Sequence, residues 1–187
     1  MAGLSKATFG SGCFWCSEAV FSELIGVESV MPGYSGGTVP NPTYEQVCQD
    51  DTGHAEVAQV TFDPSVITYR ELLEVFFSTH DPTTPNRQGA DVGIQYRSVV
   101  FYHDEGQKKS ADDIVKELTD EKAYRSPIVT QLVPLVAFYP AEDYHREYYK
   151  RNSSQPYCQA VISPKLSNFR AHFKTKLKSA QAPKSPA

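Results

Sequence analysis

The sequence lacks any run of about 18 apolar residues, the minimum for a membrane-spanning helix, which argues against a transmembrane protein. Its first residues, MAGLSKATFGSG, are too short and too polar a stretch for a secretory signal, so we expect a cytoplasmic protein without membrane association. The 187 residues suffice for one domain but not comfortably for two. Hydrophobic and charged fractions of 40% and 21% argue against disordered, collagen-like and coiled-coil chains.

Cysteine is scarce, and histidine does not cluster. The four cysteines are too few for a disulfide scaffold, and without an export signal a close pair indicates redox or metal chemistry. A structural zinc site needs a second such pair or two spaced histidines, and the sequence has neither. Glu142-x-x-His145 is half of a di-iron signature whose other half is missing. We therefore expect no metal.

Basic residues are scarce in the body of the chain and collect at its end. Four lysines and no acid follow Phe173, which leaves an acidic excess before it. Such a body repels a phosphate backbone, so we expect no nucleic-acid partner. The sequence predicts a single catalytic domain over 1–173, which we expect to be a monomer, and a flexible basic tail over 174–187.

The hydrophobic spacing predicts an α+β protein. Strands are predicted over 6–12, 27–34, 54–62, 96–102 and 128–136, and helices from 13, over 44–49, around 69–77, around 111–118, and over 142–152 and 165–173. Pro134 should keep the last strand at a sheet edge. The order β-α-β-β-α-β is typical of a ferredoxin-like αβ sandwich with a mixed or antiparallel sheet. The long irregular loops 33–44 and 80–95 are expected to carry function.

The first candidate site is Gly12-Cys13-Phe14-Trp15-Cys16, at a predicted strand-to-helix turn. A cysteine in the first helical turn lies near unpaired backbone N–H groups and the positive end of the helix dipole, which lower the pKa of its thiol. The alternative is a pair of small core residues on an amphipathic helix. The Gly turn, the C-x-x-C spacing and the adjacent Trp favour a reactive Cys13.

Glu56 is the second candidate, in the segment TGHAE at the head of an apolar strand. A desolvated carboxyl has a raised pKa and could act as a general acid beside a thiolate. The alternative, which this segment alone favours, is that Glu56 faces water and His54 caps a turn.

Tyrosines in irregular segments are the third candidate, because phenol groups can donate a hydrogen bond to an oxygen without adding charge. Tyr34, Tyr44 and Tyr96 fit this description, although most of the 11 tyrosines must be packing residues. Asp91, in GADVG, is equally consistent with a turn residue.

Six segments together resemble the class A peptide methionine-S-sulfoxide reductases. They are GCFWC, NPTYEQVC, DTGHAEVAQVTFDP, HDPTTPNRQG, DVGIQYRS and FYPAEDYHREYY, in this order, and they span roughly residues 8–160. The resemblance implies a ferredoxin-like sandwich and thiol-dependent reduction of methionine-S-sulfoxide, free or in proteins. It also implies a reaction without a metal or organic cofactor, and recycling of the enzyme by thioredoxin.

The resemblance further implies a role for each matching residue. They are Cys13 as nucleophile, Glu56 as proton donor, Tyr44 and Tyr96 as donors to the sulfoxide oxygen, Asp91 as a polar residue that orients water, Phe14 and Trp15 as the pocket for the methyl group, and Cys158 as the resolving cysteine.

The chain departs from the family pattern in its thiols. Many relatives have Gly in place of Cys16, and many have a further Cys after the Tyr-Cys. Cys158 follows a segment rich in Ser, Gln and Pro that could swing toward the site, so we expect a Cys13–Cys158 disulfide. A Cys13–Cys16 disulfide, possible only in the first helical turn, is the alternative. Cys48 is expected to be a small buried residue.

Two other functions remain open from the residues alone. A thioredoxin-like disulfide oxidoreductase would use Cys13-x-x-Cys16 at a strand–helix turn and would not need Glu56, Tyr44 or Tyr96. A redox- or metal-sensing binding module would bind a ligand stoichiometrically without turnover.

Overall fold

A computed structural model describes residues 3–49 and 51–181 of the chain. The strands are β1 Ser5–Ser11, β2 Val27–Ser35, β3 Ala55–Phe62, β4 Arg87–Gln88, β5 Asp91–Val92, β6 Ser98–Tyr102, β7 Gln131–Pro134 and β8 Phe138–Pro140. The helices are α1 Phe14–Phe21, α2 Tyr44–Cys48, α3 Tyr69–Thr79, α4 Glu105–Asp120, α5 Tyr148–Asn152 and α6 Ser163–His172, with a π-helical turn at Cys158–Ile162 and short 3-10 turns at Ile94–Tyr96, Asp143–His145, Lys174–Lys176 and Lys178–Gln181. Within these ranges, no helix is long and apolar enough to cross a membrane.

Six strands form one sheet in the order β7-β6-β1-β3-β2-β8. Neighbouring strands are antiparallel except β6 and β7, which are parallel, so the sheet is mixed. The inner order β6-β1-β3-β2, with α1 and α3 as the crossovers, is the split βαβ arrangement of ferredoxin-like proteins. The predicted α+β class is confirmed, and Pro134 lies in the edge strand β7 as expected.

The best predicted helix, α3, forms because its sequence supplies both a cap and a buried stripe. Thr68 and Glu71 make a reciprocal capping box at its start. Its apolar residues Leu72, Leu73, Phe76 and Phe77 are buried. The ring of Phe76 stacks on Phe9 of β1 at 5.2 Å, so α3 covers the same face of the sheet as the main core.

The predicted helix over 142–152 is wrong. The segment is a 3-10 turn at Asp143–His145, a left-handed residue, Glu147 (φ 50°), and the short helix α5. A polar run does not specify a continuous helix by itself, because contacts with other elements decide where it bends. The strand β8, of only three residues, was not predicted, since it is too short to show an alternating pattern.

The first residues of the predicted tail are packed rather than free, which corrects the expected boundary at 174. Leu177 is buried and pairs with Leu24, and the Lys178 N–H donates to the Glu23 carbonyl at 2.9 Å. The side chain of Lys176 pairs with Glu71 of α3. Residues 182–187 of the predicted tail lie outside the described residues.

Candidate active site

Cys13 lies where β1 turns into α1. Gly12 has a φ of 91°, in the left-handed region, and a Cβ at this position would lie 2.7 Å from the side chain of Gln88. Only glycine fits both conditions without strain. The turn makes Cys13 the N-cap of α1, where its carbonyl accepts the N–H of Cys16 at 3.1 Å. The predicted strand–Gly–Cys–helix turn is present.

Glu56 lies on β3 beside this turn and is only 1% exposed, so the wet-face alternative is wrong. The backbone N–H of Phe14 donates to its Oε2 at 3.0 Å, which brings the carboxyl within one residue of Cys13. Burial raises the pKa of Glu56 to about 8, and the nearby Asp91 adds to the shift. At neutral pH this carboxyl carries a proton that it can give away.

Cys13 and Cys16 form a hydrogen-bonded pair of thiols. Burial raises the pKa of Cys13, as do its bond to Cys16 and the charge of Glu56. The bond from Cys13 lowers the pKa of Cys16 to about 7, with help from the charge of Lys165. The expected low pKa of Cys13 is therefore wrong, because burial outweighs the helix N-terminus. Cys16 is the more acidic thiol of the pair.

Tyr157 completes the cysteine site and was missed by the sequence analysis. Its hydroxyl hydrogen-bonds to Cys13, lies 4.0 Å from the Cys16 sulfur and donates to Asp91 Oδ2 at 2.8 Å. Burial raises the pKa of Tyr157, so the phenol stays protonated. The available signal was its position directly before Cys158.

Phe14 and Trp15 stand in one aromatic cluster. Phe14 is buried against Tyr34 and Tyr44, with ring centroids 5.7 and 6.4 Å away. Trp15 is partly buried and stacks on Tyr148 at 3.8 Å with the rings nearly parallel. Such an aromatic lining suits a small apolar group.

His145 is buried in this cluster and contacts the rings of Phe14 and Trp15. The Trp15 indole N–H donates to its Nδ1 at 3.0 Å, and indole nitrogen can only donate. The proton of the neutral imidazole therefore lies on Nε2, which donates to Glu142 at 3.2 Å. Burial lowers the pKa of His145, which favours this neutral form.

Glu142 joins the tyrosine side of the site to the histidine side. Its carboxylate accepts from the Tyr34 hydroxyl at 3.4 Å and from the Tyr44 backbone N–H at 3.2 Å, besides His145. In the sequence, Glu142-x-x-His145 is half of a metal motif. In the structure, Glu142 instead holds hydroxyl, backbone and imidazole donors together, and the EDYH segment was the available signal for it.

Tyr44 and Tyr96 both lie near Glu56. Burial raises the pKa of each phenol, and the charge of Glu56 adds to both shifts. Asp91 also raises the pKa of Tyr96, so the predicted polar residues belong to one neighbourhood. Protonated phenols at this place are neutral hydrogen-bond donors.

The two remaining cysteines differ in burial. Cys158 is fully buried in the π-helical turn, rather than in an open segment, and its pKa is raised by burial and then by the charge of Cys16. Cys48 ends α2 and is exposed, which corrects the expectation of a buried residue. Its thiol hydrogen-bonds to Tyr44.

The described part of the chain contains no group of three or more His, Cys, Asp or Glu side chains that could hold a metal ion. The site itself brings together two paired thiols, a buried acid and neutral phenols beside an aromatic wall.

Comparison with known proteins identifies the family. Residues 5–177 match the family described as "Peptide methionine sulfoxide reductase". The chain belongs to this family. A protein of Sulfolobus acidocaldarius, named peptide methionine sulfoxide reductase MsrA, is 62% identical over 173 residues, covering 92% of this chain and 97% of that protein.

Solved structures of reductases have the same fold. The reduced form of Mxr1 from Saccharomyces cerevisiae aligns with a TM-score of 0.74 at 36% identity, over 83% of this chain and 89% of that one. Mxr1 in complex with Trx2 aligns with a TM-score of 0.53 at 29% identity, over 78% and 84% of the two chains.

Proposed function

We propose that this protein reduces methionine-S-sulfoxide, free or in proteins, to methionine, with Cys13 as the nucleophile and no metal or organic cofactor. The observation that carries the proposal is the protonated, buried carboxyl of Glu56 beside the Cys13 turn. A sulfoxide sulfur becomes a good electrophile only when its oxygen is protonated or strongly hydrogen-bonded. Membership of the sulfoxide reductase family supports the same reaction.

The residues around Glu56 fit the parts of a sulfoxide. Glu56 gives its proton to the oxygen, while Tyr44 and Tyr96 donate hydrogen bonds to it. Phe14 and Trp15 surround the methyl group on the other side of the sulfur. Because sulfur is then held between an oxygen site and a methyl site, one epimer fits and the other, which has the opposite configuration at sulfur, does not. Asp91 orients the Tyr157 hydroxyl at the thiols.

Cys13 reacts as a thiol that loses its proton during attack. Cys16, with a pKa of about 7, is the adjacent group that can accept that proton. The oxygen passes from the substrate sulfur to Cys13 with the proton of Glu56. One thiol and one sulfoxide become one sulfenic acid and one thioether, so atoms and electrons balance.

A second thiol then condenses with the sulfenic acid, releasing water and forming a disulfide. The geometry favours Cys16, because Cys13 is the N-cap of α1 and the pair lies within the first helical turn. The expected Cys13–Cys158 disulfide stays a prediction. It requires the buried Cys158 to leave the π-helical turn.

Thioredoxin is the proposed reductant of this disulfide, and the cytoplasm its proposed compartment. The structural neighbour crystallised with Trx2 supports the reductant. A reaction that depends on reduction by thioredoxin supports a reducing compartment, where thioredoxin and glutathione keep thiols reduced. The alternative function, a thioredoxin-like disulfide oxidoreductase, is not favoured, since disulfide exchange would not need Glu56, Tyr44 or Tyr96.

Turnover of the separated S and R epimers of methionine sulfoxide with dithiothreitol tests the reaction. We expect reduction of the S epimer alone; equal rates on both would contradict the pocket. Cys13→Ser should abolish a single turnover, whereas Cys48→Ser, which changes an exposed thiol but keeps a hydroxyl for Tyr44, should retain it.

Cysteine variants also decide which thiol forms the disulfide. If Cys16 resolves the sulfenic acid, Cys16→Ser loses thioredoxin-supported cycling while Cys158→Ser keeps it. Peptide mapping after one equivalent of sulfoxide should then yield a Cys13–Cys16 bridge. A Cys13–Cys158 bridge, with cycling intact in Cys16→Ser, would instead support the prediction from sequence.

A further inference from the structure

Glu18 is a buried acid that the proposed chemistry does not use. It lies on α1 one turn after Trp15 and is only 4% exposed. Its Oε1 accepts the backbone N–H of Glu147 at 2.9 Å, and its carboxylate also accepts the N–H of Tyr148. A carboxyl is costly to bury, and these two bonds partly offset that cost.

The two N–H groups belong to the bend between the 3-10 turn and α5. Glu147 has φ 50° and ψ 34°, a left-handed conformation that is unfavourable for a residue with a side chain. Its own side chain makes no cap for α5. Glu18, about 130 residues earlier in the chain, therefore serves as the cap that stabilises the bend.

The bend is flanked by the two residues that hold Trp15. Tyr148 directly follows Glu147 and stacks on the indole at 3.8 Å with an interplanar angle of 7°. His145, two residues before Glu147, accepts the indole N–H at 3.0 Å. Both contacts come from one short segment, so its position fixes the face and the tilt of Trp15 together.

We propose that Glu18 is a positioning residue: by holding the Glu147 bend from the helix that also carries Trp15, it sets the orientation of the indole wall of the substrate pocket. That the indole lines a substrate pocket rests on the proposed function. That Glu18 sets the orientation of the indole does not. Glu18 acts through Tyr148 and His145 and does not touch substrate.

Fluorescence tests the proposal directly, because Trp15 is the only tryptophan in the chain. Loss of the Tyr148 stack and the His145 bond exposes the indole to water. For Glu18→Ala we therefore expect red-shifted emission and stronger quenching by acrylamide in the folded, substrate-free protein. Glu18→Gln keeps an acceptor oxygen at the same reach and should retain the wild-type spectrum.

Kinetics supply the second readout. Loss of a good apolar contact in a pocket is worth about tenfold or more in binding, so Glu18→Ala should raise KM by about tenfold with a small change in kcat. Glu23→Ala is the control, since the Glu23 carboxylate accepts a hydrogen bond from Arg170 Nε at 2.8 Å rather than from the segment that holds Trp15. It should leave both the spectrum and KM as in the wild type.

If Glu18→Ala folds with wild-type emission, quenching and KM, Glu18 only stabilises the fold and the proposal is wrong. If that variant does not fold, Glu18→Asp, whose shorter side chain cannot reach Glu147, should give the same spectral shift. An unchanged spectrum in Glu18→Asp would equally contradict the proposal. Absence of sulfoxide turnover in the wild type would overturn the proposed function, while the fluorescence comparison would still decide the role of Glu18.

Discussion

Glu56 shows how one buried residue can favour chemistry at the expense of stability. Its carboxyl is 1% exposed on β3, and burial raises its pKa from 4.5 to about 8. The folded protein thus binds a proton that the unfolded chain releases between these pH values. Since the folded state holds more protons there, stability falls as pH rises from about 4.5 to about 8.

Glu56→Gln should be more stable than the wild type at alkaline pH. Glutamine resembles the protonated acid and does not ionise, so its advantage should grow by up to about 1.4 kcal/mol per pH unit within that window. Urea unfolding of both proteins at pH 5 and pH 8 measures the difference. A difference that does not change with pH would mean that Glu56 is not desolvated.

The same substitution should slow sulfoxide reduction by about 10²- to 10⁴-fold, the usual loss for a general acid. In the wild type, kcat/KM should decline above pH 8, because Glu56 then loses the proton that it donates. Stopped-flow single turnovers across pH 6 to 10 test both expectations. Wild-type rates in Glu56→Gln at every pH would show that Glu56 has a structural role and does not donate the proton.

At the scale of elements, caps decide where the helices begin and end. Thr43 and Thr68 form capping boxes at the starts of α2 and α3. The end of α4 is a Schellman motif, in which the N–H of Ala123 donates to the Leu118 carbonyl at 2.9 Å. Lys122, with φ 53°, occupies the left-handed position that glycine usually takes in this motif.

Lys122→Gly should therefore stabilise the protein by about 0.5 to 1 kcal/mol, because the relief of the left-handed strain exceeds the entropy cost of glycine. Chemical denaturation measures the gain. Lys122→Ala is the control, since alanine removes the same exposed side chain but retains the strain. Equal stabilities of the two variants would contradict a conformational cause.

At the scale of the whole molecule, the site is assembled from segments far apart in the chain. Trp15 and His145 are 130 residues apart, and Tyr157 and Asp91 are 66 residues apart. The C-terminal segment contributes to the same framework, because residues 174–178 pack behind α1 and α3 through Leu177 and Lys176.

Ending the chain at residue 173 should destabilise the protein by about 2 kcal/mol or more, the value of one buried leucine, with the lost backbone hydrogen bonds in addition. Ending it at residue 181 keeps Leu177 and its partners, so this second protein is the reference for the loss. The two truncated proteins are compared by calorimetry. Equal midpoints would show that residues 174–181 contribute nothing to the folded state.

The sequence by itself determined the elements whose signals are local. The glycine turn before Cys13, the amphipathic α3 and the order β-α-β-β-α-β of the inner strands and their crossover helices follow from neighbouring residues, since dihedral preferences and side-chain periodicity act over short distances. The family motifs brought Cys13, Glu56, Tyr44, Tyr96, Asp91, Phe14 and Trp15 to attention, and the structure gathers them in one place. Their roles stay predictions for the experiments above.

Only the tertiary structure decided the protonation of the site and its supports. The pKa of Cys13 depends on burial and on Cys16 and Glu56, so the helix N-terminus alone gave the wrong direction. Tyr157, Glu142 and Glu18 gain their importance from partners distant in sequence, which no local pattern specifies. Burial and long-range contacts exist only in the folded chain. They determine which groups are protonated and how the aromatic rings are oriented.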